Sequence, residues 1–125
     1  MKIYQEGMLC KHFKGKDLLE KNIYRIVKLG VEGKDINEED ITYSGDGILS
    51  EAHDLVIYAS IFQNNKLFAR EYSDISSSLS EEKSLEFGQI IKVQPLTSEE
   101  VMIINDPSFV EAKLKAVEEK FNKSL

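Results

Sequence analysis

The sequence predicts a mainly β domain that ends in an α-helix. Three observations carry this reading. Strand-length runs rich in apolar, aromatic and β-branched residues recur up to Val93, an asparagine turn joins two of them, and the apolar period lengthens after Asp106-Pro107. At 125 residues the chain holds one domain with its own core and leaves no room for a multidomain enzyme.

Residues 8–13 and 23–31, bounded by Gly7, Gly15 and Gly33, suit strands, with 14–22 as their connection. Residues 55–62 are apolar on both parities, the pattern of a central strand covered on each side. Asn64 and Asn65 tolerate the left-handed backbone of a tight turn, so residues 67–72 return as the partner strand. A fifth strand covers 89–93 and is ended by Pro95, which has no ladder donor. Thr97-Ser98-Glu99-Glu100 opens a short helix, and Asp106-Pro107 caps and starts a longer one. In that helix Val110, Leu114, Val117 and Phe121 form one apolar stripe, expected to dock on the β core, with a homodimer through the helix as the alternative. Residues 32–54 and 73–88 lack a period and read as loops; a loop as long as the first is either a lid or conceals a further element.

The charge balance, 16 Lys+Arg against 22 Asp+Glu for a net −6, opposes duplex nucleic acid or an anionic membrane as partner. It hides a polarity: residues 1–30 carry seven basic and three acidic groups (+4), which leaves −10 for the remainder. Strands from both halves are expected to interleave and mix these charges on one surface. The single cysteine, Cys10, excludes an internal disulfide and points to the reduced cytosol. The amino-terminal residues lack an apolar signal core, and 55–62 is too short to cross a bilayer, so a soluble cytoplasmic protein is expected.

Known chemical motifs fail on spacing. In the acidic stretch 35–46, Asp40 stands where a calcium loop needs glycine, and Gly45-Asp46-Gly47 lacks the third glycine of a dinucleotide fingerprint. No metal site, phosphate loop or cofactor is expected. Cys10 and His12 share a strand face about 7 Å apart, too far for a direct nucleophile–base bond.

Arginine usage is more informative. Only Arg25 and Arg70 are arginine, the other fourteen basic residues being lysine, and a guanidinium offers a planar fork that lysine does not copy. A two-residue turn at Asn64-Asn65 pairs Phe62 with Leu67, Ile61 with Phe68, Ala59 with Arg70 and Ile57 with Tyr72. Arg70 then lies among Ile57, Ile61, Phe68 and Tyr72, opposite to Tyr58. Either that face is core and Arg70 pairs with a buried carboxylate, or it lines a concave site for an anionic or planar ligand.

His12-Phe13-Lys14-Gly15, Tyr24-Arg25-Ile26-Val27, Leu55-Val56-Ile57-Tyr58 and Leu67-Phe68-Ala69-Arg70 resemble, in order, the landmarks of the bacterial domain of unknown function family 1653. The resemblance spans about Gly7 to Tyr72. It implies a small SH3-like β-barrel, placed here over 7–95 with an inserted loop at about 32–54, and no activity; the helical extension over 97–125 lies outside the resemblance and is read as this protein's own. Phe68 replaces the family's usual tryptophan, Glu71 its proline, and Leu49 a histidine. The functional expectation is a non-enzymatic recognition or accessory module, binding an anionic small molecule, peptide carboxylate or protein partner through Arg25, Tyr58, Phe68, Arg70, His12 and Lys14. The alternatives are a small enzyme using His12 or Glu71, and a single-stranded nucleic-acid binder stacking bases on Tyr24 and Phe68.

Overall fold

The computed structural model describes residues 2–123; Met1, and Ser124 and Leu125 at the end of the expected extension, lie outside them. Six strands form one sheet: β1 (Leu9–His12), β2 (Ile23–Val31), β3 (Ile41–Tyr43), β4 (Leu55–Ser60), β5 (Lys66–Glu71) and β6 (Val93–Pro95), in the order β3-β5-β4-β2-β1-β6. Only the β3–β5 pair is parallel. Four α-helices complete the described residues: α1 (Tyr72–Ile75), α2 (Glu81–Phe87), α3 (Ser98–Ile104) and α4 (Pro107–Lys123). With 3-10 turns and bridge residues included, helix occupies about 34% of the described residues and strand about 27%, so the sheet organises the core while helices cover more residues.

The sheet curls but does not close into a barrel, so a six-stranded mixed sheet with a carboxyl-terminal helix is the part of the expected architecture that the structure shows. The chain beyond β5 bends into α1, and the expected strand 89–93 contributes only the isolated bridge Ser78–Ile91 before β6 begins. Pro95 lies inside β6, tolerated because an edge strand need not donate on its outer side. Tyr4 draws the curl together from within. It is fully buried, with its hydroxyl 2.6 Å from the Val93 carbonyl and 2.9 Å from that of Ile75.

The hairpin register differs from the expected one. β4 stops at Ser60, residues 61–65 form the connection, and Asn64 and Asn65 both take the left-handed conformation. Tyr58 therefore pairs with Phe68, Val56 with Arg70 and Ile57 with Ala69. Relative to a two-residue turn the register moves by three positions, an odd number, so the predicted face sets are exchanged. Arg70 shares its face with Val56, Tyr58 and Phe68, not with Ile57.

This inner face is the main core. Cys10, Tyr24, Ile26, Val56 and Tyr58 from the sheet pack with Tyr4, Ile75 and Val93. The outer face carries a second cluster of Leu49, Leu55, Ile57 and Ala69, with Ile36, Ile41 and Tyr43 against it. The 32–54 segment is therefore a structured cover containing β3 and two single 3-10 turns, Gly33–Asp35 and Leu49–Glu51. Its close approach requires Gly33: a Cβ there would lie 1.7 Å from the Leu49 carbonyl oxygen. Within 73–88, the other expected loop, α2 is capped by Ser80 and ended by left-handed Gly88.

Both carboxyl-terminal helices begin where expected. Thr97 and Glu100 form a reciprocal capping box, and Asp106 accepts the Ser108 amide at 2.8 Å. The buried side of α4 is offset from the predicted stripe, because Lys113 is its buried residue while Leu114 and Phe121 face outward.

Candidate functional site

Each candidate residue's place follows from the register. His12 lies two residues beyond Cys10 on β1, Cys10 pairs with Tyr24, and Tyr58 pairs with both Ile26 and Phe68. His12, Tyr24, Tyr58, Phe68 and Arg70 consequently belong to the inner face. Tyr24 and Tyr58 have ring centroids 4.6 Å apart, Tyr58 and Phe68 stack at 5.8 Å, and Tyr24 lies 6.4 Å from Phe68. His12 stacks on Phe13 at 4.8 Å and meets Tyr24 edge-on at 6.5 Å.

Arg70 is held by its own chain without being sealed. Its Nη2 pairs with Asp74 of α1, one turn on, and the other Asp74 oxygen accepts Lys92 Nζ at 2.9 Å. Burial pushes the Asp74 carboxyl up, yet Lys92 and Arg70 together hold it below the usual carboxylate range. Two cations thus share one carboxylate, and one positive charge is left over. The Arg70 side chain keeps 24% of its surface exposed, while its buried Nε has no partner. Burial raises the Tyr58 phenol, and the neighbouring guanidinium opposes that rise.

His12 registers the same excess of charge. Burial, then Arg70, Lys14, Lys21 and Lys92, push its imidazole down to about 4. The ring is neutral near pH 7, and because Nδ1 accepts the Lys14 amide at 3.3 Å, the proton is assigned to Nε2. Lys66, 5.3 Å from the Phe68 ring centroid, adds a further cation at the rim.

Two expected residues lie elsewhere. Arg25 pairs with Leu9 and Ala59 on the outer side of β2 and donates to the Gly7 carbonyl at 3.2 Å, so it does not join Arg70. Lys14 is exposed and borders a different hollow, a cleft of about 850 Å³ between loop 14–22, turn 61–65 and α4. The buried cation of that cleft, Lys113, is already occupied by backbone carbonyls, whereas the inner face carries uncompensated charge.

The two acid–base candidates, His12 and Glu71, lie on opposite faces of the sheet. Glu71 pairs with Leu55 on the outer face and accepts from Tyr43 at 3.3 Å, away from His12. Burial pushes the Cys10 thiol up to about 12, which removes its thiolate at neutral pH. Among the described residues, no group of three or more His, Cys, Asp or Glu could hold a metal ion, and no helix is long and apolar enough to cross a membrane.

Sequence reasoning placed Tyr24 only in the nucleic-acid reading and did not assign Asp74 or Lys92 to the site. No periodic signal links Asp74 to Arg70 along the chain, because Arg70 lies at the end of a strand and Asp74 in α1, within a segment that reads as loop. Comparison with protein-family models, with curated proteins and with solved structures found no match.

Proposed function

We propose that this chain is a non-enzymatic recognition module that binds an anionic small molecule or peptide carboxylate at the exposed rim of the inner face. One observation carries the reading: Arg70, Lys14, Lys21 and Lys92 all bear on a neutral His12, and Asp74, the carboxylate bound to Arg70, is shared with Lys92. An incoming anion would supply the missing negative charge, with His12 Nε2–H as a neutral donor and Phe68 limiting water.

The kinship with the family of unknown function is proposed on its four sequence fragments alone. Its four fragments contribute His12, Tyr24, Tyr58, and Phe68 with Arg70 to one face. The curled sheet and the buried Cys10 are compatible with the proposed SH3-like kinship and cytosolic setting. A homodimer through α4 would use exposed Leu114 and Phe121. Single-stranded nucleic acid is the weaker reading, because of its two stacking rings Tyr24 is buried within the core and only the half-buried Phe68 is left to receive a base.

The test is thermal stabilisation by inorganic phosphate, dicarboxylates, mononucleotides and short peptides with free carboxyl termini. A binder at about one hundred times its Kd stabilises by about 2.7 kcal/mol. Arg70→Lys is expected to remove most of that gain while leaving the unliganded melting point nearly unchanged, and Asp74→Asn to increase it. If no anion in the panel stabilises the wild type, or if Arg70→Lys binds as tightly, the proposal fails.

A further inference from the structure

Lys113 is only 3% exposed although it lies midway along a surface helix. Its ammonium donates to the Leu18 carbonyl at 2.8 Å, to that of Leu19 at 2.6 Å and to that of Lys21. Three donors meet three acceptors, so the group is saturated and the 18–21 loop is gripped from one point. The loop is turned beneath it by the Asp17 carbonyl, which accepts the amides of Glu20 and Lys21.

Lys21 repeats the device. It is 4% exposed, and its Nζ reaches the Phe13 carbonyl at 2.7 Å and the Phe87 carbonyl at 3.1 Å. Phe13 is the residue next to His12 and stacks on its ring, while Phe87 packs edge-on against Phe13 at 5.4 Å. A continuous path therefore runs from α4 through the Lys21 carbonyl and ammonium to Phe13 and His12. Buried ammonium groups are costly, and a well-packed apolar residue often serves stability as well or better. An apolar side chain, however, cannot gather three carbonyls from a loop without regular structure.

We propose that Lys113 and Lys21 form a two-step clamp through which α4 positions His12, making Lys113 a positioning residue for the inner-face site. The link to ligand binding rests on the function proposed above; the clamp itself does not. The charged groups concerned are Asp17 and Lys120 around Lys113, and Arg70, Lys14, Lys21 and Lys92 around His12. Releasing the loop admits water to the imidazole and loosens the Lys21 charge, and both changes favour protonation of His12.

The experiment is an NMR titration of the full chain with labelled histidine, read without ligand. The chain has two histidines, and His53, with 78% of its side chain exposed and paired with Glu32, gives the second, separately assigned resonance. Burial and the surrounding cations push the wild-type His12 down to about 4. Lys113→Met is expected to raise it by about one unit or more toward the ordinary 6.5. Lys113→Arg, which keeps a multidentate donor, should restore most of the wild-type value.

Should Lys113→Met not fold, Lys113→Gln, which cannot supply three donors but leaves the Lys21 charge in place, decides the matter. A folded variant of either kind with an unmoved His12 overturns the clamp, whatever its phosphate binding. A shifted His12 in a protein that binds no anion from the panel supports the clamp and overturns only the ligand reading.

Discussion

The two faces of one sheet are completed in different ways. On the outer side, Leu55, Ile57 and Ala69 are covered by the 32–54 segment through apolar contacts and a glycine-permitted close approach. On the inner side, apolar packing gives way toward the rim to Arg70, His12, Lys92 and Lys66, with Asp74 between two of the cations. Apolar cover is complete when water is excluded, whereas clustered cations remain unfavourable until an anion joins them. The outer face is thus completed by apolar contacts, whereas the inner rim leaves two cations, Arg70 and Lys92, on the single carboxylate of Asp74.

The comparison is broken most strongly at the outer core. Leu55 is fully buried, and Leu55→Ala should cost about 2–5 kcal/mol in denaturant unfolding. Under native conditions the folded fraction should bind the same anions as wild type. Loss of binding at full folding would show that the faces are not independent.

Acid should act through the inner face. The folded-state pKa of His12, about 4, lies below its ordinary 6.5, so the native state binds this proton less readily than the unfolded chain. The stability this neutral ring contributes is whole above about pH 6.5 and is lost as pH falls through 4. The bare shift corresponds to about 3 kcal/mol, reduced to about 1–2 kcal/mol by partial exposure. His12→Phe should flatten that part of the stability–pH curve measured by urea unfolding. An unchanged slope would remove the electrostatic account of the inner face.

The smallest effect belongs to Arg25. It is exposed on the outer side, and Arg25→Ala should change stability by no more than about 0.5 kcal/mol. Anion binding should be unaffected in a thermal-shift assay. A large loss of binding would return Arg25 to the site and blur the contrast between faces.

Much of the local structure was legible in residue order, because its causes lie within a few neighbours. The central strand 55–60 showed as apolar on both parities, the adjacent asparagines took the left-handed turn, and Asp106-Pro107 began α4. Four of the six candidate residues, His12, Tyr58, Phe68 and Arg70, belong to the inner face. Arg25 lies on the opposite face because neighbours on a strand alternate, and Tyr24 took the inward position.

Which side of the sheet each residue faces was decided only on folding. Turn 61–65 displaced the hairpin register by an odd number and exchanged Arg70's neighbours. Residues 32–54 carry no period because their few apolar side chains gain a surface only once β4 and β5 are paired. Lys113 reads as a solvated helix residue until the 18–21 carbonyls are brought to it. Periodicity and capping are local and can be read along a chain, but a partner tens of residues away exists only after the backbone has closed the distance.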